Sequence, residues 1–262
     1  LVNVDKVKVI LGGSCSSEPL AAIPVAEPAK VFIFTGSASS PDLTGKSKFF
    51  ARDWPNDSSQ GILLAEIAIK KGWKKVAVIN EQTDYAQGIV KFFEKKFNEL
   101  GGTVVKEEFN SKLRDFRASL TKLSSAKPDA ILISAQATAT ADPIVKQMSQ
   151  LKWNLPIMIN DVPLTSPEFI ASNKAILEGA TGSDFFLDPN NQKLIELNRN
   201  YEARFGKEMA FQTYTSAVYD SLYIIKDAIE VVGYDGEKIA EWVRMVKDWP
   251  VASGLITIGT DG

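Results

Sequence analysis

The feature that most constrains the fold is a regular alternation along the chain. Short runs rich in Val, Ile and Phe, such as "KVFIF" and "KKVAVIN", are followed by longer stretches with the apolar spacing of amphipathic helices. Apolar runs without polar interruption are typical of strands buried on both faces of a parallel sheet, with helices as the crossovers. The chain is therefore predicted to be an α/β protein with parallel sheets.

The pattern also predicts how the chain is divided. The predicted strands are residues 6–11, 30–34, 74–80, 103–109, 129–135, 155–161, 179–186 and 254–258. The predicted helices are residues 17–29, 58–72, 86–102, 116–126, 142–153, 191–205, 211–232 and 236–249. The series shifts near Pro55 and again near Phe186, which indicates two doubly wound lobes. We expect a first lobe at 1–55 and 186–262 and a second lobe at 56–185.

Composition and motifs exclude several classes of function. The 262 residues carry a formal net charge of −2, so the chain has no electrostatic footprint for nucleic acid. No apolar run approaches the roughly 20 residues of a membrane span. Histidine is absent and Cys15 is the only cysteine, which excludes a Ser–His–Asp triad and a zinc cluster. Nucleotide-phosphate loops and the GxSxG motif are also absent. We therefore expect a binding protein rather than an enzyme, with no cofactor and no metal.

The loops that follow the predicted strands share a polar composition. In parallel sheets, ligands bind beyond the carboxyl ends of the strands. The loops at these ends are "GGSCSS", "TGSASSPDLT", "NEQTDYAQG", "SAQATATAD" and "NDVPLTSP". They supply hydroxyl groups and the free N–H groups of helix N-termini, which suits a small anion such as a carboxylate.

The same loops carry a resemblance to a known family. The stretches "DKVKVILGGSCSSEPLAAIPVAEPAKVFIFTGSASSPDLT", "KKVAVINEQTDYAQGIVKFFEKKFNELGG" and "SGLITIGTDG" occur in order along the chain. Together they resemble the periplasmic leucine/isoleucine/valine-binding proteins, the type I solute-binding proteins of ABC importers. The resemblance implies two lobes that close on a solute about a hinge near residues 52–57 and 185–188. It also implies that an N-terminal unit of the first lobe and a final strand segment are missing from this sequence, and that Cys15 pairs with a cysteine in the missing part.

The resemblance implies a set of ligand-binding residues. Ser16, Ser37 and Ser39 match the positions at which the family binds the ligand carboxylate. Tyr85 matches a tyrosine that reaches the ligand from the second lobe, and Asp161 matches the acidic residue that accepts an α-ammonium.

Two further sets of residues complete the expected site. Thr138 lies in a second contact loop, where amino-acid binders of the family carry a tyrosine, and this departure weakens the case for branched-chain specificity. Trp54, Phe211 and Tyr214 are candidates for apolar walls of the ligand site.

The expected function is the capture of an amino acid or another small carboxylate for an ABC permease. Such a protein works in the periplasm or outside the cell, either free or lipid-anchored. A ligand-sensing domain of a receptor or regulator is one alternative, and an enzyme on a flavodoxin-like fold is another. The sequence leaves the identity of the solute open.

Overall fold

The computed structural model describes all residues, 1–262. Contacts divide the chain into two compact units, one formed by Leu1–Asn56 with Phe185–Gly262 and the other by Asp57–Asp184. The strands are β1 (Val9–Leu11), β2 (Phe32–Thr35), β3 (Phe50–Arg52), β4 (Lys75–Glu81), β5 (Thr103–Phe109), β6 (Ala130–Ser134), β7 (Ile157–Ile159), β8 (Thr181–Gly182), β9 (Trp249–Val251) and β10 (Gly254–Ile256). The helices are α1 (Ser17–Ala26), α2 (Ser58–Lys70), α3 (Asp84–Glu99), α4 (Arg117–Ser125), α5 (Thr138–Gln150), α6 (Asp161–Leu164), α7 (Pro167–Ser172), α8 (Lys174–Leu177), α9 (Gln192–Phe205), α10 (Gln212–Val232) and α11 (Gly236–Val243).

The first unit is built on a three-stranded parallel sheet in the order β1-β2-β3. Alternate side chains of the central strand point to opposite faces, as the period of two requires. Phe32 and Phe34 join a core formed with α10 and α11. Val31 and Ile33 join a second core, to which α1 contributes. Helices therefore cover both faces of this sheet.

The second unit repeats the same principle on a larger sheet. Five parallel strands lie in the order β5-β4-β6-β7-β8. Val76 and Val78 pack with residues of α2 and α3, whereas Ala77 and Ile79 pack with residues of α4 and α5. All four side chains are fully buried. The alternation confirms the predicted doubly wound α/β fold.

Helices α2 and α3 lie close together because Gly61 has no side chain. A Cβ atom at this position would lie 2.4 Å from the carbonyl oxygen of Ile89 and 2.8 Å from the backbone nitrogen of Phe93. The contact fixes the N-terminal half of α2 against α3, and this places Gln60, the residue before Gly61, in the interior of the unit.

Some predicted boundaries were wrong, for reasons that involve distant residues. The predicted helix 142–153 begins earlier, at Thr138, because the Glu81 carboxylate accepts hydrogen bonds from the Gln136 N–H and the Thr140 hydroxyl at its start. The predicted helix 236–249 ends at Val243, and Trp249 instead begins β9, an antiparallel hairpin strand paired with β10.

Other elements were not predicted at all. Strand β3 and the short helices α6 to α8 have no counterpart among the predicted elements. The predicted strand 179–186 is reduced to Thr181–Gly182. Both errors concern short elements, whose periodicity is too brief to recognise in sequence.

Candidate functional site

In the first unit, the two serine-rich loops after β1 and β2 are joined by hydrogen bonds. The Thr35 hydroxyl donates to the carbonyl oxygen of Gly13 at 2.8 Å, and the Ser37 hydroxyl donates to the carbonyl oxygen of Ser14 at 3.3 Å. A third bond runs from the backbone N–H of Ser40 to the hydroxyl oxygen of Ser16 at 3.0 Å. The strands β1 and β2 are parallel neighbours, so their carboxyl ends bring these loops together.

The three predicted serines differ in their surroundings. Ser16 is the residue before α1, but its side chain does not cap that helix and instead accepts from the second loop. Ser39 is fully buried, and Ser37 is half-buried. At the start of α1, the carboxylate of Glu18 accepts the N–H of Cys15 at 3.0 Å, so this donor of the loop already has a partner. Cys15 is half-buried, and its pairing with another cysteine stays a prediction.

The buried side chain of Arg52 supports the second loop, the one that follows β2. The Arg52 guanidinium donates to the carbonyl oxygens of Ala38 at 3.2 Å and Ser40 at 2.9 Å, and to the hydroxyl oxygen of Thr44. Arg52 ends β3 and is 6% exposed. Because these carbonyl groups point to the guanidinium, the backbone of the loop that carries Ser39 is held in one conformation.

In the second unit, Tyr85 and Asp161 form one buried cluster. Tyr85 lies in the first turn of α3, and Asp161 follows β7. The Tyr85 hydroxyl donates to Asp161 Oδ1 and accepts from Asn160 Nδ2 at 2.7 Å. Asn160 is itself held by two bonds to the backbone of Ala135, both 2.9 Å long. Asp161 is fully buried and Tyr85 is 3% exposed, so the cluster joins the carboxyl ends of β6 and β7 to the start of α3.

A glutamine completes this cluster. Gln60 of α2 donates from Nε2 to Asp161 Oδ1 at 3.0 Å, and its Oε1 accepts the backbone N–H of Asp161 at 3.2 Å. Gln60 is 4% exposed. Asp161 Oδ1 therefore accepts from two neutral donors, Tyr85 and Gln60, both within the second unit.

Thr138 lies apart from that hydrogen-bond network. It is the half-buried first residue of α5. The buried threonine nearby is Thr140, in the first turn of α5, whose hydroxyl donates to Glu81 at 2.8 Å. The loop is thus organised by Glu81, and a role of Thr138 in ligand binding stays a prediction.

The candidate apolar residues lie in the first unit. Trp54 stacks on Tyr214, with ring centroids 4.3 Å apart, and meets Phe185 edge-on at 4.7 Å. Trp54 also lines a cavity of about 440 Å³, and none of the three predicted serines lines it. Phe211, before α10, is 39% exposed and has a left-handed backbone with φ of 51°. Packing within the unit accounts for Trp54 and Tyr214, whereas Phe211 is the accessible aromatic ring of this set.

Two acidic groups of the first unit have perturbed protonation. Burial raises the pKa of Asp53 well above its ordinary value, a hydrogen bond from Ser221 at 2.9 Å opposes this, and the charge of Asp220 raises it further. Burial also raises the pKa of Asp220, while its bonds to the N–H groups of Ala252 and Ser253 lower it. The hydrogen bonds of these carboxyl groups join α10 to the end of β3 and to the β9–β10 turn.

Three residues of the site were missed in the sequence. Arg52 and Asn160 each stand at the end of a strand, which is a signal that could have drawn attention to them. Gln60 lies inside a helix, 101 residues before the aspartate that it contacts. Only the packing of α2 reveals its role.

Polar clusters at the carboxyl ends of doubly wound parallel sheets lie where proteins of the α/β class bind their ligands. The comparisons specify this class further. The chain belongs to the periplasmic binding protein family, whose sequence model matches residues 1–262. Within that family it is a type I protein of the Leu/Ile/Val-binding group. Members are substrate-binding proteins and not enzymes, so the expectation of a non-enzymatic function is confirmed.

Individual relatives agree with this assignment. The chain is 25% identical to the Leu/Ile/Val-binding protein BraC3 of Rhizobium johnstonii, over 98% of this chain and 70% of the relative. It is 33% identical to the leucine-binding protein LivK of Thermotoga maritima, with a TM-score of 0.91 over 100% of this chain and 75% of that structure. It is 26% identical to LivJ of Streptococcus pneumoniae, solved in complex with isoleucine, with a TM-score of 0.82 over 100% of this chain and 74% of that structure.

The match to relatives is partial in length. The chain spans about two thirds of the curated relatives that it resembles, for example 66% of an amino acid binding protein of Pseudomonas aeruginosa. Among its helices, none combines the length and the apolar character needed to cross a bilayer.

Proposed function

We propose that this chain belongs to an extracytoplasmic solute-binding protein that captures an α-amino acid and delivers it to an ABC permease. The observation that carries the proposal is the buried carboxylate of Asp161, which lies at the end of β7 within hydrogen-bonding distance of Tyr85 and Gln60. A buried carboxylate that is held in one position is an acceptor for a charge-assisted hydrogen bond from a ligand ammonium.

The serine loops of the first unit support the other half of the proposal. Ser16 and Ser39 are buried in loops at the carboxyl ends of parallel strands, and Arg52 holds the second loop in place. Hydroxyl and backbone N–H donors in such loops suit a carboxylate that has left water. We propose that Ser16 and Ser39 of this unit donate hydrogen bonds to the ligand carboxylate.

The relatives support the class of ligand. LivK is described as a leucine-binding protein and LivJ was solved with isoleucine. We therefore choose leucine as the first probe. Delivery to a permease, a periplasmic or extracellular location and a lipid anchor are parts of the same proposal, and they rest on the family.

The test begins with the natural ligand. Mass spectrometry of the small molecules that remain bound through native purification should identify an amino acid. Titration of the wild type with leucine and with 2-hydroxy-4-methylpentanoate, which replaces the ammonium by a hydroxyl group, should then show a preference for leucine. If only the acid without an amine binds, the amino-acid proposal is wrong.

Substitution of Asp161 isolates the charge. A hydrogen bond to a charged group contributes about 1.5–3 kcal/mol, so Asp161→Asn should lower the affinity for leucine by roughly 10-fold to 150-fold. The affinity for the hydroxy acid should fall much less. An equal loss for both ligands would identify Asp161 as a structural residue.

A further inference from the structure

Gln60 is placed to hold the carboxylate of Asp161 in one orientation. It is the third residue of α2 and is 4% exposed. Its side chain makes two hydrogen bonds to a single residue that is 101 positions away, one to the Asp161 side chain and one to its backbone N–H. Both bonds lie within the second unit, so they are made by the packing of α2 onto the end of β7.

The backbone bond determines the orientation of the Gln60 amide. Because Oε1 faces the N–H of Asp161 at 3.2 Å, the Nε2 group is the one that faces Oδ1, at 3.0 Å. Gln60 therefore donates to the carboxylate. Tyr85 donates to the same oxygen. Two donors from two different helices on one oxygen leave the Asp161 side chain little freedom to rotate.

We propose that Gln60 is a positioning residue that sets the selectivity of the site for ligands with an α-ammonium; this inference rests on the proposed function. An ammonium that leaves water regains its lost solvation only from an acceptor held at the right distance and angle. A ligand with a hydroxyl group in place of the ammonium has no charge there, so its affinity depends less on the position of this acceptor. Loosening Asp161 should therefore cost an amino acid more than the matching hydroxy acid.

A matched glutamine separates this role from general support of the fold. Gln147 lies in the same unit, is 8% exposed, and also makes two hydrogen bonds through its amide. Its Oε1 accepts the N–H of Phe116 at 2.6 Å, and its Nε2 donates to the carbonyl oxygen of Arg114 at 2.8 Å. These bonds join α5 to the segment before α4 and do not involve Asp161. Loss of Gln147 should therefore affect stability without affecting selectivity.

The experiment compares Gln60→Met and Gln147→Met, which keep side-chain length and remove both hydrogen bonds. Calorimetry gives the affinities for leucine and for 2-hydroxy-4-methylpentanoate. We expect Gln60→Met to lower the leucine to hydroxy-acid affinity ratio by about 5-fold or more. Gln147→Met should leave that ratio within about 2-fold of the wild type.

A second variant guards against a failure of Gln60→Met to fold. Gln60→Leu has a similar volume and also removes both hydrogen bonds, so the affinity ratio should fall in this variant as well. Circular dichroism and thermal unfolding establish that each titrated variant is folded.

The possible results distinguish the inference from the proposed function. If the wild type binds 2-hydroxy-4-methylpentanoate as tightly as leucine or more tightly, the proposed function is wrong, and the inference fails with it. If the wild type prefers leucine but both Gln60 variants lower the affinities for the two ligands equally, the role of Gln60 is only structural and the proposed function stands. A change of ratio in Gln147→Met would also overturn the inference, because selectivity would then follow stability in general.

Discussion

Removal of a single hydroxyl group, in Tyr85→Phe, tests the buried cluster without any ligand. Tyr85 is 3% exposed and packs in the core with α2 and α3. The substitution keeps the ring and its packing. It removes the donor to Asp161 Oδ1 and the acceptor for Asn160 Nδ2.

The expected cost follows from these partners. A hydrogen bond to a charged group contributes about 1.5–3 kcal/mol to stability. The Asn160 amide keeps its 2.9 Å bond to the carbonyl oxygen of Ala135, so it is not left without a partner. Asp161 keeps the bond from Gln60. We therefore expect the free energy of unfolding to fall by about 1.5–3 kcal/mol.

Urea denaturation of wild type and variant, followed by tryptophan fluorescence and circular dichroism, measures this difference. The slope of the free energy against urea should be unchanged, because the same surface is exposed on unfolding. Tyr234→Phe is the control, because the Tyr234 hydroxyl accepts only an exposed backbone N–H, that of Lys8 at 3.2 Å, and the residue is 55% exposed. It should change stability by less than about 0.5 kcal/mol.

A loss below about 0.5 kcal/mol in Tyr85→Phe would contradict this expectation. The Tyr85 hydroxyl would then contribute no more than an exposed one, and Asp161 would not depend on it. One of the two donors to Asp161 Oδ1 would then make no measurable contribution to holding the carboxylate in place.

Three further predictions concern other parts of the structure. Ser39→Ala should lower leucine affinity in calorimetry by about 5-fold to 150-fold, because a buried carboxylate oxygen of the ligand would lose its donor; unchanged affinity would exclude Ser39 from the site. For Asp53, the pKa in the folded state lies above the ordinary 3.8, so the folded state keeps the proton to a higher pH than the unfolded state does. The contribution of Asp53 to the free energy of unfolding therefore falls as pH rises from 3.8 through the folded pKa. Asp53→Asn should flatten this fall in urea denaturation across the acid and neutral range, and an unchanged pH profile would contradict the assignment. Gly61→Ala should lower the melting temperature and destabilise the chain by about 1–3 kcal/mol, because its Cβ would clash with the α3 backbone; a neutral effect would show that α2 can shift.

The sequence alone determined the fold class. Its apolar runs are nearly continuous where strands are buried on both faces, and its helices show one apolar side, so the doubly wound α/β fold follows from local pattern and burial. The ordered loop motifs indicated the family, and the comparisons confirmed it. The loops that carry the candidate serines and Tyr85 were recognisable because they follow strands, where parallel sheets place their binding loops. The individual residues were chosen from the family resemblance, and their roles stay predictions.

Tertiary structure decided what local pattern does not contain. Helix α5 begins at Thr138 because Glu81, more than fifty residues earlier, accepts hydrogen bonds at its start. Trp249 lies in a hairpin strand because it pairs with Ile256. Gln60 reaches Asp161 because Gly61 lets α2 approach α3 closely. Each outcome depends on a contact between residues far apart in the chain. The periodicity of a short stretch of sequence carries no information about such contacts.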